Sequence, residues 1–143
     1  MTGLDLDTAR SIVAGARAHG ADAGLKPLTV VVLDAGGHVV AAEREDGASN
    51  GRFAIAHGKA SGALSLGMGS RSLMQRAEEQ AYFIAAATSA LGGSLVPVPG
   101  GVLVRDGSGT LLGAVGISGD SSDNDEAAAV AGIGSAGLSA QPD

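Results

Sequence analysis

Leu6, Ala9, Val13 and Ala16 recur at three- and four-residue steps, and this spacing predicts an amphipathic helix over Leu6–His19. Asp5 or Asp7 can cap its start, and Gly20 and Gly24 end it. Leu28–Leu33 is an apolar run with three consecutive valines, which predicts a strand. Asp34-Ala35-Gly36-Gly37 reads as a turn and His38–Glu43 as the returning strand, so the pair makes a hairpin. Arg44–Gly51 is polar and glycine-containing, a loop. Phe53–Leu66 reads as a helix lined with small residues, among them Ala54, Ala56, Ala60 and Ala63. Ser70–Glu79 and Tyr82–Leu91 follow as short helices, the second stopped by Gly92 and Gly93.

Pro97, Pro99, Gly100 and Gly101 form a rigid bend before a short strand, Val102–Arg105. A turn at Asp106–Gly109 leads into Thr110–Ser118, the last strand expected and a central one. Gly113 and Gly116 lie inside it. Glycine weakens an isolated strand, so these two predict close approach of a helix backbone. Their spacing with Gly119 is not that of a dinucleotide-binding loop. A final helix starts within Ser121–Glu126 and runs to about Ile133, and the tail after Gly137 is expected to fray. Strand pairs joined by short turns give an antiparallel sheet. The layout is α+β, with helices covering a single sheet in one domain over residues 1–143.

Composition narrows the function classes. A chain of 143 residues is the common size of one domain. Aromatic residues are only 2% while glycine numbers 24, which argues against a large aromatic-lined cavity within one chain. Nine Lys and Arg against fifteen Asp and Glu give a net charge of −6. Nucleic acid and anionic membrane surfaces both call for a basic face, so neither is an expected partner. Absence of cysteine removes thiol catalysis, thiolate haem ligation, iron–sulfur clusters and cysteine zinc sites. The first twenty residues do not read as a signal peptide, and no run approaches the ~20 apolar residues of a membrane span. Cytoplasm is the expected compartment.

Candidate chemistry is sparse. His19, His38 and His57 share no metal-ligand spacing, and the acids Asp120, Asp123, Asp125 and Glu126 lack the calcium-loop pattern, so no intrinsic metal site is expected. Asp123 suits helix capping, whereas Asp125 and Glu126 point in different directions and one can face a pocket. His57 lies mid-helix among alanines, either lining a site or simply packed. Arg44, Arg52 and Lys59 cluster around the polar loop and can hold a carboxylate through a guanidinium fork, or can be a solvated surface. Ser61, Ser65, Ser70 and Ser72 read as helix-compatible or capping residues rather than nucleophiles.

Four segments in order carry a resemblance. They are Val31-Val32-Leu33-Asp34-x-x-Gly37, Arg44-Glu45-Asp46-Gly47-Ala48, Ala54-Ile55-Ala56-x-x-Lys59-Ala60, and Pro99-Gly100-Gly101 through Gly113-Ala114-Val115-Gly116-Ile117-Ser118-Gly119 to Asp125-Glu126. Together they resemble the GlcG/HbpS-like family, which includes the C-terminal domain of PduO-type proteins. The resemblance implies a profilin-like fold with one five-stranded antiparallel sheet flanked by helices, and a homo-oligomer. It also implies haem binding in several members and a place beside catabolic genes, in a catabolic operon, for others. Its motif residues map to Asp34, Arg44, Lys59, Asp125 and Glu126. The family's haem ligand does not map through a shared motif.

Three functional readings follow. The first is a small-molecule-binding protein with haem as the first candidate ligand. Arg44, Arg52 or Lys59 would then meet the propionates and a neutral histidine the iron. The second is a small catabolic enzyme using acid–base chemistry on a carboxylate-bearing substrate. It would draw on Asp34, Arg44, His57, Asp125 and Glu126, with His57 or Glu126 moving the proton. The third is an accessory protein that binds no ligand and acts through subunit contacts. For the first two, the expected site joins His57 and Arg44, with Asp125 or Glu126 nearby.

Overall fold

The computed structural model describes residues 3–143. Helix α1 (Leu6–Asp22) leads into the hairpin β1 (Thr29–Asp34) and β2 (Val39–Arg44). Helices α2 (Arg52–Leu66), α3 (Ser70–Glu79) and α4 (Ala81–Ala90) follow. The chain closes with β3 (Gly101–Arg105), β4 (Leu111–Ser118), α5 (Ser122–Ser135) and β5 (Ser139–Gln141). The strands form one five-stranded sheet in the order β2-β1-β4-β3-β5, with every neighbouring pair antiparallel. This is the expected α+β architecture, with β4 at its centre.

Strand alternation divides the core into two layers. Val30 and Val32 of β1, with Val102, Val104, Val115 and Ile117, meet Ile12, Val13 and Ala16 of α1 and Ala128, Ala129 and Ile133 of α5. Val31 and Leu33, with Leu103 and Ala114, meet Ala56, Ala60 and Ala63 of α2. A Cβ on Gly116 would stand 1.9 Å from the carbonyl oxygen of Ala56, so glycine is what lets α2 lie against β4. At Gly113 the tight neighbour is instead Leu33 O of the adjoining strand, 2.1 Å from such a Cβ, and not a helix. A third, small cluster of Leu73, Ile84 and Leu95 seats α3 and α4.

Several local expectations are corrected. The tail after Gly137 does not fray. Gly137 takes the left-handed conformation (φ 76°), the chain turns back, and β5 pairs with the open edge of β3 through Leu103↔Gln141, Val104↔Ala140 and Arg105↔Ser139. Beyond β5, the backbone N–H groups of Gly69 and Arg71 at the start of α3 donate to the carbonyl oxygens of Asp143 and Pro142. Helix α1 runs past Gly20 because the missing side chain makes room for Leu28; a Cβ there would be 2.9 Å from Leu28 Cδ1. Arg44 ends β2 rather than beginning the loop. Ser121, not Asp123, caps α5, accepting from the backbone N–H of Asn124. Among the described residues no helix is long and apolar enough to cross a membrane.

Candidate functional site

The expected site residues fall into separate places. His57 faces a groove between α2 and the edge strand β2, a cavity of about 460 Å³ lined by Val39, Phe53, Ala54, His57, Gly92, Gly93 and Ser94. The segment after α4 forms its third wall because the glycines of α2 let it approach. A Cβ on Gly58 would lie 2.6 Å from Val96 Cγ2, and Val96 N donates to Gly58 O at 3.1 Å. His57 Nδ1 is 3.0 Å from Ser94 Oγ, and the Phe53 ring stacks on the imidazole at 6.0 Å between centroids. In the tautomer whose Nδ1–H donates to Ser94, Nε2 keeps its lone pair for a ligand. A largely apolar lining with one hydrogen-bonded imidazole has the character of a small-molecule site.

Arg44 is not part of that lining. It sits at the far end of β2 from Val39, five positions or about 17 Å along the strand. Register places Arg44 opposite Thr29, and Thr29 opposite Ser118 on its other side. Arg52, at the first turn of α2, donates from Nη1 to Ser118 Oγ at 3.0 Å. Thr29, Ser118, Arg44 and Arg52 thus gather at one end of the sheet, on the face that α2 covers.

Lys59 and Asp125 lie next to this cluster and are both buried. Lys59 Nζ donates to Asp125 Oδ2 at 3.2 Å and to the carbonyl oxygen of Ile117 at 2.8 Å. The other oxygen of Asp125 accepts from Asp120 N at 2.9 Å. Burial is the largest influence on each group. It lowers the ammonium pKa of Lys59 and raises the carboxyl pKa of Asp125, while their mutual attraction opposes both shifts. The pair ties α2 to the start of α5 across the end of β4.

Glu126 is held elsewhere. Arg71 of α3 donates from Nε to both of its carboxylate oxygens at 3.1 Å, and its Nη2 also reaches Asp123. Asp34 lies at the opposite end of the sheet, where its Oδ1 accepts from the backbone N–H groups of Gly36 and His38 at 3.0 Å and holds the β1–β2 turn. Those bonds, His38's first, lower its pKa. Asp106 holds the β3–β4 turn in the same way, through Ser108 N and Thr110 N. Asp34, His38, Asp106 and Thr110 line a cavity of about 680 Å³ at that end. Among the described residues no three His, Asp or Glu side chains converge on a metal position.

Sequence reasoning passed over Thr29, Ser118, Ser94 and Arg71. The first two become neighbours of Arg52 only through strand register, which single-strand patterning does not contain. Ser94 follows Gly92-Gly93, whose visible role is to stop a helix. Arg71 looks like any solvated helix arginine until α5 packs beside it.

A comparison with curated proteins gives no match. Among solved structures, a PduOC:haem complex superposes with a TM-score of 0.85 at 23% identity, covering 96% of this chain and 97% of that one. Klebsiella pneumoniae protein ORFY gives 0.85 at 20% identity, covering 96% and 92%. A double mutant of Streptomyces reticuli HbpS gives 0.79 at 26% identity, covering 94% and 87%. The family model described as haem degrading protein HbpS-like matches residues 4–134. This chain belongs to the HbpS-like family.

Proposed function

We propose that the protein is a small-molecule-binding protein whose ligand is haem, held in the groove between α2 and β2 with His57 on the iron. The observation that carries this reading is the His57 Nδ1–Ser94 Oγ contact of 3.0 Å in an apolar groove. A hydrogen bond to the far ring nitrogen fixes the tautomer and orientation of a metal-binding histidine. Val39, Phe53 and Ala54 offer apolar surface to a porphyrin, and haem when bound supplies a redox-active iron. The likeness to PduOC, which was crystallised with haem, and membership of a family described as haem degrading support the same ligand. The groove lining carries no cation, so the propionates would turn outward, toward solvent or toward Arg52 at the start of α2. Titration with ferric haem tests the proposal: a Soret change saturating at one haem per chain is expected. A linear, unsaturable change would refute it.

We further propose that the chain works as a homo-oligomer. Helix α4 has no charged residue and buries only Ile84. Its Ala81, Tyr82, Ala85 and Ala86 face solvent, with Tyr82 73% exposed. Phe53, Ile55, Val39 and Leu91 add further exposed apolar surface. Such surface on a small chain marks an interaction face. Light scattering should give a mass of at least two chains, reduced by Tyr82→Glu.

A further inference from the structure

We propose that Thr29, Ser118, Arg44 and Arg52 form a carboxylate-binding site at the end of the sheet beside the start of α2. This site is separate from the lining of the His57 groove; binding of a free acid stands without the haem reading, whereas a propionate as the source rests on it.

The first observation is an orphan. Thr29 is fully buried, and its Oγ1 has no hydrogen-bond partner. A buried hydroxyl left unpaired is costly, and its persistence points to a partner that the folded chain itself does not provide. Thr29 alternates with Val31 and Leu33, whose side chains pack on α2, so it stands on the same face one step nearer the start of that helix. Register sets it between Arg44 and Ser118.

The second observation concerns charge. Arg17 and Arg71 each hold two carboxylates. Arg52 instead meets the neutral hydroxyl of Ser118, and Arg44 the neutral amide of Asn50 at 3.1 Å. Glu43 and Glu45, which flank Arg44 in the chain, are committed to Arg17, and Asp46, exposed in the same loop, makes no ion pair with Arg44 or Arg52. Lys59 lies close enough for Arg52 to disfavour its charge, and Asp125 answers Lys59 alone. Two guanidiniums without an anion therefore flank two hydroxyls in a protein whose net charge is −6. The first turn of α2 also has no side-chain cap, so its N–H groups add to the positive potential.

A carboxylate matches this chemistry, and it reaches the two fully buried hydroxyls once the Arg52 side chain moves aside. The Arg52 fork can donate to it in place of Ser118, the hydroxyls of Thr29 and Ser118 can donate to it, and Arg44 closes the solvent side. Arg52 is half-buried and Arg44 exposed, which leaves the approach on the Arg44 side. The carboxylate comes either from a small free acid or from a propionate of haem. The chemistry is shared, and the experiment separates the sources.

The test is calorimetric titration of the haem-free protein with acetate, succinate and citrate at constant ionic strength. Saturable binding of at least one acid is expected. Thr29→Val and Arg52→Gln should weaken it at least about tenfold, while Thr29→Ser and His57→Ala retain it. Thr29→Val should also leave the carboxylate-free protein at least as stable as before, because removing an unpaired hydroxyl relieves a cost. If no free acid binds, haem and haem dimethyl ester are compared. A preference for haem that Thr29→Val abolishes then assigns the site to a propionate. Free acids that do not saturate, together with equal haem and ester affinities in wild type, would overturn the proposal. Loss of haem binding with free-acid binding intact would remove the haem reading and leave this one standing.

Discussion

Lys59 Nζ lies 3.2 Å from Asp125 Oδ2, with side chains only 2% and 1% exposed, and this pair joins α2 to α5 across the end of β4. Breaking such a pair from one side leaves an uncompensated charge in the interior, at about 3–5 kcal/mol. Lys59→Met should destabilise by that amount in urea unfolding. Lys59→Met with Asp125→Leu should cost less than the sum of the single changes, because the apolar pair strands no charge.

The Lys59→Met variant also carries a pH signature. Burial raises the pKa of Asp125, and Lys59 is among the groups that lower it. Without Lys59 the folded-state pKa lies further above the unfolded value. A carboxyl group with a raised folded pKa contributes stability that is full below the unfolded pKa and lost as pH rises through the folded one. The stability deficit of Lys59→Met should therefore grow from pH 4 to pH 8. A deficit independent of pH in chemical denaturation would contradict the account of the pair.

Asp120 behaves in the opposite sense. Hydrogen bonds from Asn124 first, then from the backbone N–H groups of Lys26 and Ser121, lower its pKa to about 2. Stability from a depressed carboxylate is present above its unfolded pKa and lost as pH falls through the folded value. Carboxyl NMR should find Asp120 still ionised near pH 3, and Asp120→Asn should flatten the acid limb of the stability curve.

Gly116 tests the contact between α2 and the sheet. Gly116→Ala puts a methyl group against Ala56 O, where a Cβ would stand 1.9 Å away, and should cost about 3 kcal/mol or more. Gly134 in α5 has nothing within 4 Å of such a Cβ. Gly134→Ala should instead raise stability by up to about 1 kcal/mol. Thermal unfolding of the two variants gives the comparison.

The architecture was legible because the signals behind it are local. The continuous valine run of β1, the aspartate–glycine turns at Asp34 and Asp106 and the alanine face of α2 are each visible within a short window of sequence. β5 was not legible. Ser139–Gln141 has no apolar run, and it is a strand only because the edge of β3 was left open. The site was harder still. Lys59 and Asp125 are 66 positions apart and meet through the packing of α2 and α5 around β4. Asp34, grouped with them by resemblance, stands at the other end of the sheet in a turn. His57 could be singled out as a large polar side chain on a small-residue helix, but its partner Ser94 and the groove depend on how the chain returns after α4.

The most direct test of the central claim is resonance Raman spectroscopy of the ferrous haem-reconstituted protein. An iron–histidine stretch should be present in the wild type, absent in His57→Ala, and restored to that variant by added imidazole. The same band, unchanged in position and intensity in His57→Ala, would contradict the assignment of His57 to the iron.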